Sequence, residues 1–154
     1  MKTMLGFLIA WAALAAGVFA QQLSPHKVPA SVSESFHSKF KGVSKVEWKR
    51  KSDQNYEAEF KLKRVEVAAK FDQRGKWLET ETTIDQSALT TDIRATISTD
   101  YKDYKIIETQ KVERADDKPM LFEVHLDNAE EILKLQFEGN GTVFSKSAKR
   151  KHRP

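Results

Sequence analysis

The chain is 154 residues long, with 26 Lys and Arg against 22 Asp and Glu and no cysteine. That length suits one domain or two small halves sharing a core. The lack of cysteine leaves burial alone to hold the fold, and the mild positive excess, much of it near the C-terminus, argues against nucleic-acid binding as the main task.

Residues 1–20 read as a signal peptide. Lys2 supplies the positive start, residues 4–19 form an apolar run, and Val18-Phe19-Ala20 offers small residues where a signal peptidase cuts, so cleavage is expected after Ala20. The run is short for a membrane span and lacks a basic stop-transfer flank. No transmembrane segment is expected after cleavage, and with no cysteine following there is no lipoprotein attachment site. Residues 21–27 form a polar leader, expected to be loose.

A helix is predicted next. Val28, Val32, Phe36 and Phe40 recur every four residues, Pro29 suits the first turn and Gly42 a stop. The period then changes to two. Val46 and Trp48, then Tyr56, Ala58, Phe60 and Leu62, then Val65, Val67, Ala69 and Phe71, then Leu78, Thr80 and Thr82 alternate with mostly charged residues. This predicts a four-stranded antiparallel meander with one buried face, covered by the helix. The stretch Phe71-Asp72-Gln73-Arg74-Gly75-Lys76-Trp77 reads as a hairpin tip, glycine supplying a positive φ.

The same order then repeats. Leu89, Ile93, Ile97 and Tyr101 copy the first helical stripe, and Phe137-Glu138-Gly139-Asn140-Gly141-Thr142-Val143 echoes the hairpin tip. Phe122 to Leu126 lies on Tyr56 to Phe60, and the extra residues of the second copy are expected in a longer loop at 115–119. The expectation is an α+β chain of two tandem helix-plus-four-stranded meander repeats, at 28–86 and 87–147, each with one open sheet face. Residues 148–154, with Lys149, Arg150, Lys151 and Arg153, read as a disordered basic tail able to touch anionic lipid or polysaccharide.

A signal, a helix opened by Val28-Pro29-Ala30, a meander carrying Phe71-Asp72-x-x-Gly75-x-Trp77 and then a second such unit together resemble the PepSY-like family, described as β-lactamase-inhibitor-like and found in exported proteins of Gram-negative bacteria. The resemblance covers about residues 28–147. It implies helix-plus-four-strand units with an open sheet face, no catalysis, and binding or inhibition of other exported proteins. The second copy departs from the pattern, lacking a proline at Leu89-Thr90 and carrying Glu138 where the first has Asp72.

The residues themselves point the same way. His26, His37, His125 and His152 make no metal-ligand spacing, and no nucleophile elbow or phosphate-cradling glycine loop occurs. No catalytic, metal or cofactor site is therefore expected. Carboxylate pairs such as Glu57/Glu59 and Glu79/Glu81 read as solvated strand faces. The candidate binding surface is the open sheet face: Glu57, Glu59, Lys61, Glu66, Lys70 and Trp77 from the first copy, and Glu123, His125, Ile132 and Lys134 from the second. Strict alternation puts Trp77 on that face beside Glu79 and Glu81, where a large aromatic among mixed charges would be a binding hot spot. The expected role is a non-catalytic, periplasmic or secreted protein that binds another exported protein, with inhibition of that protein as the finer form of the expectation. The alternative is a small-ligand, polysaccharide or lipid binder using the cleft between copies or the basic tail.

Overall fold

The computed structural model describes residues 21–151, so the signal cleavage site and the last three residues of the basic tail lie outside it. The strands are β1 (Gln21–Leu23), β2 (Val46–Arg50), β3 (Tyr56–Leu62), β4 (Val65–Phe71), β5 (Trp77–Thr83), β6 (Lys105–Arg114), β7 (Leu121–Asp127), β8 (Glu131–Phe137) and β9 (Val143–Arg150). They form a single sheet in chain order, every neighbour antiparallel. Helix α1 (Ala30–Lys39) joins β1 to β2, and α2 (Thr91–Asp100) joins β5 to β6. The fold is α+β.

Helices of ten residues are marginal alone in water, so each depends on docking. Val32 and Phe36 of α1 are fully buried, and the Phe36 ring lies 5.2–6.4 Å from the rings of Phe40, Trp48, Phe60 and Phe71. Helix α2 is built largely from Thr and Ile, whose helix propensity is a few tenths of a kcal/mol below the best formers. Burying Ile93 and Ile97 against Val124, Leu126, Leu133, Leu135 and Phe137 contributes about 1.5–3 kcal/mol per side chain, which outweighs that deficit. Thr90 Oγ1 adds a cap, accepting from the Ile93 amide at 3.2 Å.

Residues directly opposite across a ladder share a face. Following the pairs from Val67↔Thr82 through Thr82↔Lys111 and Lys111↔Phe122 puts both helices on one side of the sheet. Two hydrophobic clusters sit there, one under each helix. Between them the same face carries Thr80, Thr82, Lys111 and Glu113, residues suited to a strip that no helix covers.

Two expectations are corrected at the ends of the chain. The leader is partly a strand: β1 pairs with β2, and Leu23 opposite Trp48 packs on the first cluster. Ala148, Lys149 and Arg150 of the expected tail continue β9 along β8, because the backbone groups of β8 need partners. Lys151 then donates to the Asn128 carbonyl at 2.8 Å and pairs with Asp127. The extra length of the second half is also placed differently. It enters mainly through β6, ten residues against five in β2, rather than through the loop after it.

Each helix rests on a hairpin turn. Asp72 Oδ1 accepts from the amides of Arg74 and Lys76 at 2.8 and 2.9 Å and closes the first turn. Gly75 then lies at φ +88° with its missing Cβ aimed at the Ser31 carbonyl oxygen, 2.4 Å away. In the second turn Gly141 has φ +84°, and a Cβ there would stand 2.8 Å from the Asp92 carbonyl. Thr96 Oγ1 donates to the Gly141 carbonyl at 3.1 Å, tying α2 to the turn directly. After each turn the register shifts by one residue, at Lys70/Phe71 and at Gln136/Phe137.

Gly75→Ala combines a left-handed backbone with a clash against the backbone of α1, and is expected to lower stability by about 2 kcal/mol or more. Gly42, at φ +82° with open space around it, should lose only about 1 kcal/mol on the same change. Urea midpoints of the two variants measure the difference; equal losses would mean that the turn does not hold the helix.

Candidate functional site

The helix-free face is built by the outward side chains of β2 to β9. Opposite pairs place Glu57 beside Lys70, Glu59 beside Ala68, Lys61 beside Glu66, Glu81 beside Ala68 and Val112, and Glu123 beside Gln110 and Gln136. His125 stands opposite Glu108 and Lys134, and Ile132 opposite Asp127 and Lys149. Nine of the ten residues expected on this face are therefore there.

Trp77 is the exception. The register shift after the Gly75 turn inserts Leu78 as an extra residue and sets Trp77 opposite Phe71, on the helix side. There it is half-buried against the first cluster, its indole N–H donates to Thr80 Oγ1 at 2.9 Å, and the Lys39 ammonium lies 3.7 Å over the ring. The same shift after the second turn sets Val143 opposite Phe137, on the helix side.

No helix covers this face, yet its centre is not open. Gln110, Val112, Leu121 and Glu123 are each at most 1% exposed, and Glu57, Ala68 and Glu81 at most 9%. An uncovered flat sheet would leave such side chains wet. The long polar side chains of this face cover one another instead.

Charge pairing organises this face. Lys49 pairs with Glu59, Lys51 with Glu57 at 3.1 Å, Lys70 with Glu79, and Lys134 with Glu123 at 2.7 Å. His125 faces two carboxylates, Glu108 at 2.9 Å from Nδ1 and Glu123 at 3.0 Å from Nε2. Exposed pairs such as Lys61–Glu66 contribute little; the central ones sit in a drier setting where a missing partner is costly.

Two glutamates show what a partner does. Burial pushes the Glu123 carboxyl up, but His125, Lys134 and Gln136 donate to it and hold its pKa below the usual carboxylate value. Glu81 is buried almost as deeply, and among the described residues its carboxyl receives no hydrogen bond and no ion pair. Burial, with the carboxylates of Glu123, Glu57 and Glu79 around it, pushes its pKa to about 7, and Lys134 is too remote to reverse this. Burial disfavours the His125 imidazolium, but the two carboxylates more than offset it and raise its pKa to about 9. Burial likewise works against the ammonium groups of Lys70 and Lys134, and neighbouring carboxylates raise both pKa values nonetheless. Sequence reasoning read Glu79 and Glu81 as solvated strand charges. The separation of Glu81 from its cations arises across several strands and leaves no local signal.

A hollow of about 1710 Å³ opens at one end of the sheet, with Lys49, Glu59, Lys61 and Glu66 of the helix-free face on its wall. Val43, Val46, Leu62, Ile84 and Ile107 give it an apolar lining, and Lys41, Lys45 and Lys63 stand around it. Among the described residues no group of three His, Asp or Glu could hold a metal ion, and no helix is long and apolar enough to cross a membrane.

A family model described as β-lactamase-inhibitor-like, PepSY-like matches residues 11–69 and 54–144, most of the sequence. The chain belongs to the PepSY-like family. Solved structures share the fold of this PepSY-like chain at low identity. A DUF2874 family protein from Bacteroides uniformis superposes with a TM-score of 0.70 at 14% identity, covering 78% of this chain and 88% of its own. A protein from Bacteroides eggerthii described as periplasmic gives a TM-score of 0.71 at 12% identity, covering 79% and 88%. A BLIP-like protein from Bacteroides fragilis gives 0.66 at 16% identity, covering 85% and 91%. No curated protein matches the chain.

These shifts make stability depend on pH. His125 is raised from 6.5 to about 9, so its contribution is full below pH 6.5 and lost as pH rises through 9. Glu81 is raised from 4.5 to about 7, so its protonated form supports the fold below pH 4.5 and that support is lost as pH rises through 7. Glu123 works in the opposite sense, its contribution being lost as pH falls below 4.5. The urea midpoint is expected to drop between pH 5 and 9. Glu81→Gln should remove the part between pH 5 and 7 and raise stability at pH 8 by about 2 kcal/mol. A midpoint equally pH-dependent in that variant would contradict the assignment.

Proposed function

We propose that this PepSY-like chain is a non-catalytic exported binding protein that meets another exported protein through the helix-free face of its sheet. The observation that carries this reading is the arrangement of that face: a helix-free surface crossed by partly buried ion pairs of fixed geometry. Fixed charges of both signs favour selective docking of a complementary surface, since like-charge juxtaposition rejects wrong partners. Inhibition of that partner is the finer form of the proposal, supported by the β-lactamase-inhibitor-like description of the family. Export is supported by the apolar N-terminal segment and by the likeness to a protein described as periplasmic.

The two halves, 28–86 and 87–147, are proposed to be copies of one unit. The matching roles of Gly75 against α1 and Gly141 against α2 support this, as do the two equal helices and the separate cluster beneath each. A small-ligand role draws on the apolar hollow at the sheet end.

Capture from native envelope extract by the mature chain tests the reading. Lys61→Glu with Lys149→Glu, both exposed on the helix-free face, should weaken capture of the partner at least tenfold. Lys39→Glu with Lys102→Glu, near the helix ends, should leave it unchanged. The reverse pattern would overturn the proposal, and loss only in Leu62→Asp with Ile107→Asp would move the site to the apolar hollow.

A further inference from the structure

On the helix-free face, six carboxylates crowd the centre: Glu57, Glu59, Glu79, Glu81, Glu108 and Glu123. Five have a cation of their own, from Lys51, Lys49, Lys70, His125 and Lys134. Glu81 is the sixth. It is 9% exposed, and no hydrogen bond or ion pair reaches it among the described residues. The cations nearest in the network cannot turn to it without abandoning another carboxylate: Lys70 is held by the half-buried Glu79 and Lys134 by the buried Glu123. Arg114, also on this face, is taken up by the Pro119 carbonyl, at 2.9 Å from Nε and 2.6 Å from an Nη nitrogen. Across the ladder from Glu81, position 68 is an alanine, where the neighbouring outward positions of β4 carry Glu66 and Lys70. No long side chain from that position stands over the carboxyl.

We infer that Glu81 is the receiving group for a lysine or arginine side chain presented by the protein partner. A buried charge costs free energy that a partner's cation repays only with direct contact, and here the vacancy is on the surface through which the partner is proposed to dock. An anionic side chain would meet the one carboxylate left without a cation and be repelled. A neutral one would leave the carboxyl as it is. The inference rests on the proposed face and adds the chemistry of its occupant.

A proton is exchanged in the event. Glu81 holds a proton below pH 7 when alone, and a cation binds the carboxylate form, so arrival of the ammonium or guanidinium releases that proton to solvent. Affinity should rise with pH up to about 7 and then level. The groups that face Glu81 and could share in this are Glu57, Glu79, Glu123, Lys70 and Lys134. All but Glu81 are already in ion pairs, so the steepest change belongs to it.

The probe is a blocked pentalysine peptide added to the mature chain, with the Glu81 carboxyl carbon followed by NMR in a glutamate-labelled sample. Saturable displacement of that signal is expected, with its titration midpoint lowered by at least one pH unit. The same peptide acetylated on every lysine should do nothing. Glu81→Gln should abolish the response and Glu81→Asp retain a weaker one. An unmoved Glu81 signal at saturating peptide, or equal peptide binding by Glu81→Gln, would overturn the inference. Envelope capture separates this from the face itself: capture lost in Lys61→Glu with Lys149→Glu but intact in Glu81→Gln leaves the face standing and removes Glu81 as its receiving group.

Discussion

Everything in this fold depends on two close approaches of backbone to backbone. A glycine at positive φ in a hairpin turn lies against the first turn of a helix, Gly75 on Ser31 and Gly141 on Asp92. No other residue combines that φ with that contact at low cost. The approach decides on which side of the sheet each helix lies, and so which side chains become core. Phe36 and Ile93 can fill their sites only because the turn admits the helix to that distance. What the helices do not cover is then left for another use.

The two faces are held by different physics. Under the helices the sheet is apolar, and dispersion and water exclusion act together with little directional demand. On the other face burial is also deep, but the groups are charged, and burial alone would expel them. Glu123 stays ionised because three donors converge on it; Glu81, with none, is driven toward its protonated form. Desolvation prevails wherever pairing is absent. The paired charges of this face form a fixed pattern that can select among partners.

Much of this was legible in the sequence. The four-residue stripes of Val28 to Phe40 and Leu89 to Tyr101 located both helices, alternation located β2 to β5, and the repeated order pointed to four strands more. Alternation misplaced Trp77 because the turn at Gly75 is followed by an extra residue, and one inserted residue inverts every inference drawn across it. Gln21–Leu23 and the end of β9 were missed because polar, charged sequence gives no strand signal of its own, and the ladder beside them supplies the pairing. The candidate face was placed correctly for nine residues, but its burial was not foreseen. The interaction of Glu81 on β5 with Glu123 on β7 and Lys134 on β8 exists only once the sheet is formed.

The most direct test of the helix-free face as a contact surface is lysine footprinting by amine acetylation, comparing the free mature chain with its complex with the captured envelope partner. Reactivity is expected to fall at Lys49, Lys61 and Lys149 on binding, and to stay constant at Lys39 and Lys102. Protection at Lys39 and Lys102 with the other three unchanged would show that the helices, and not the open side of the sheet, meet the partner.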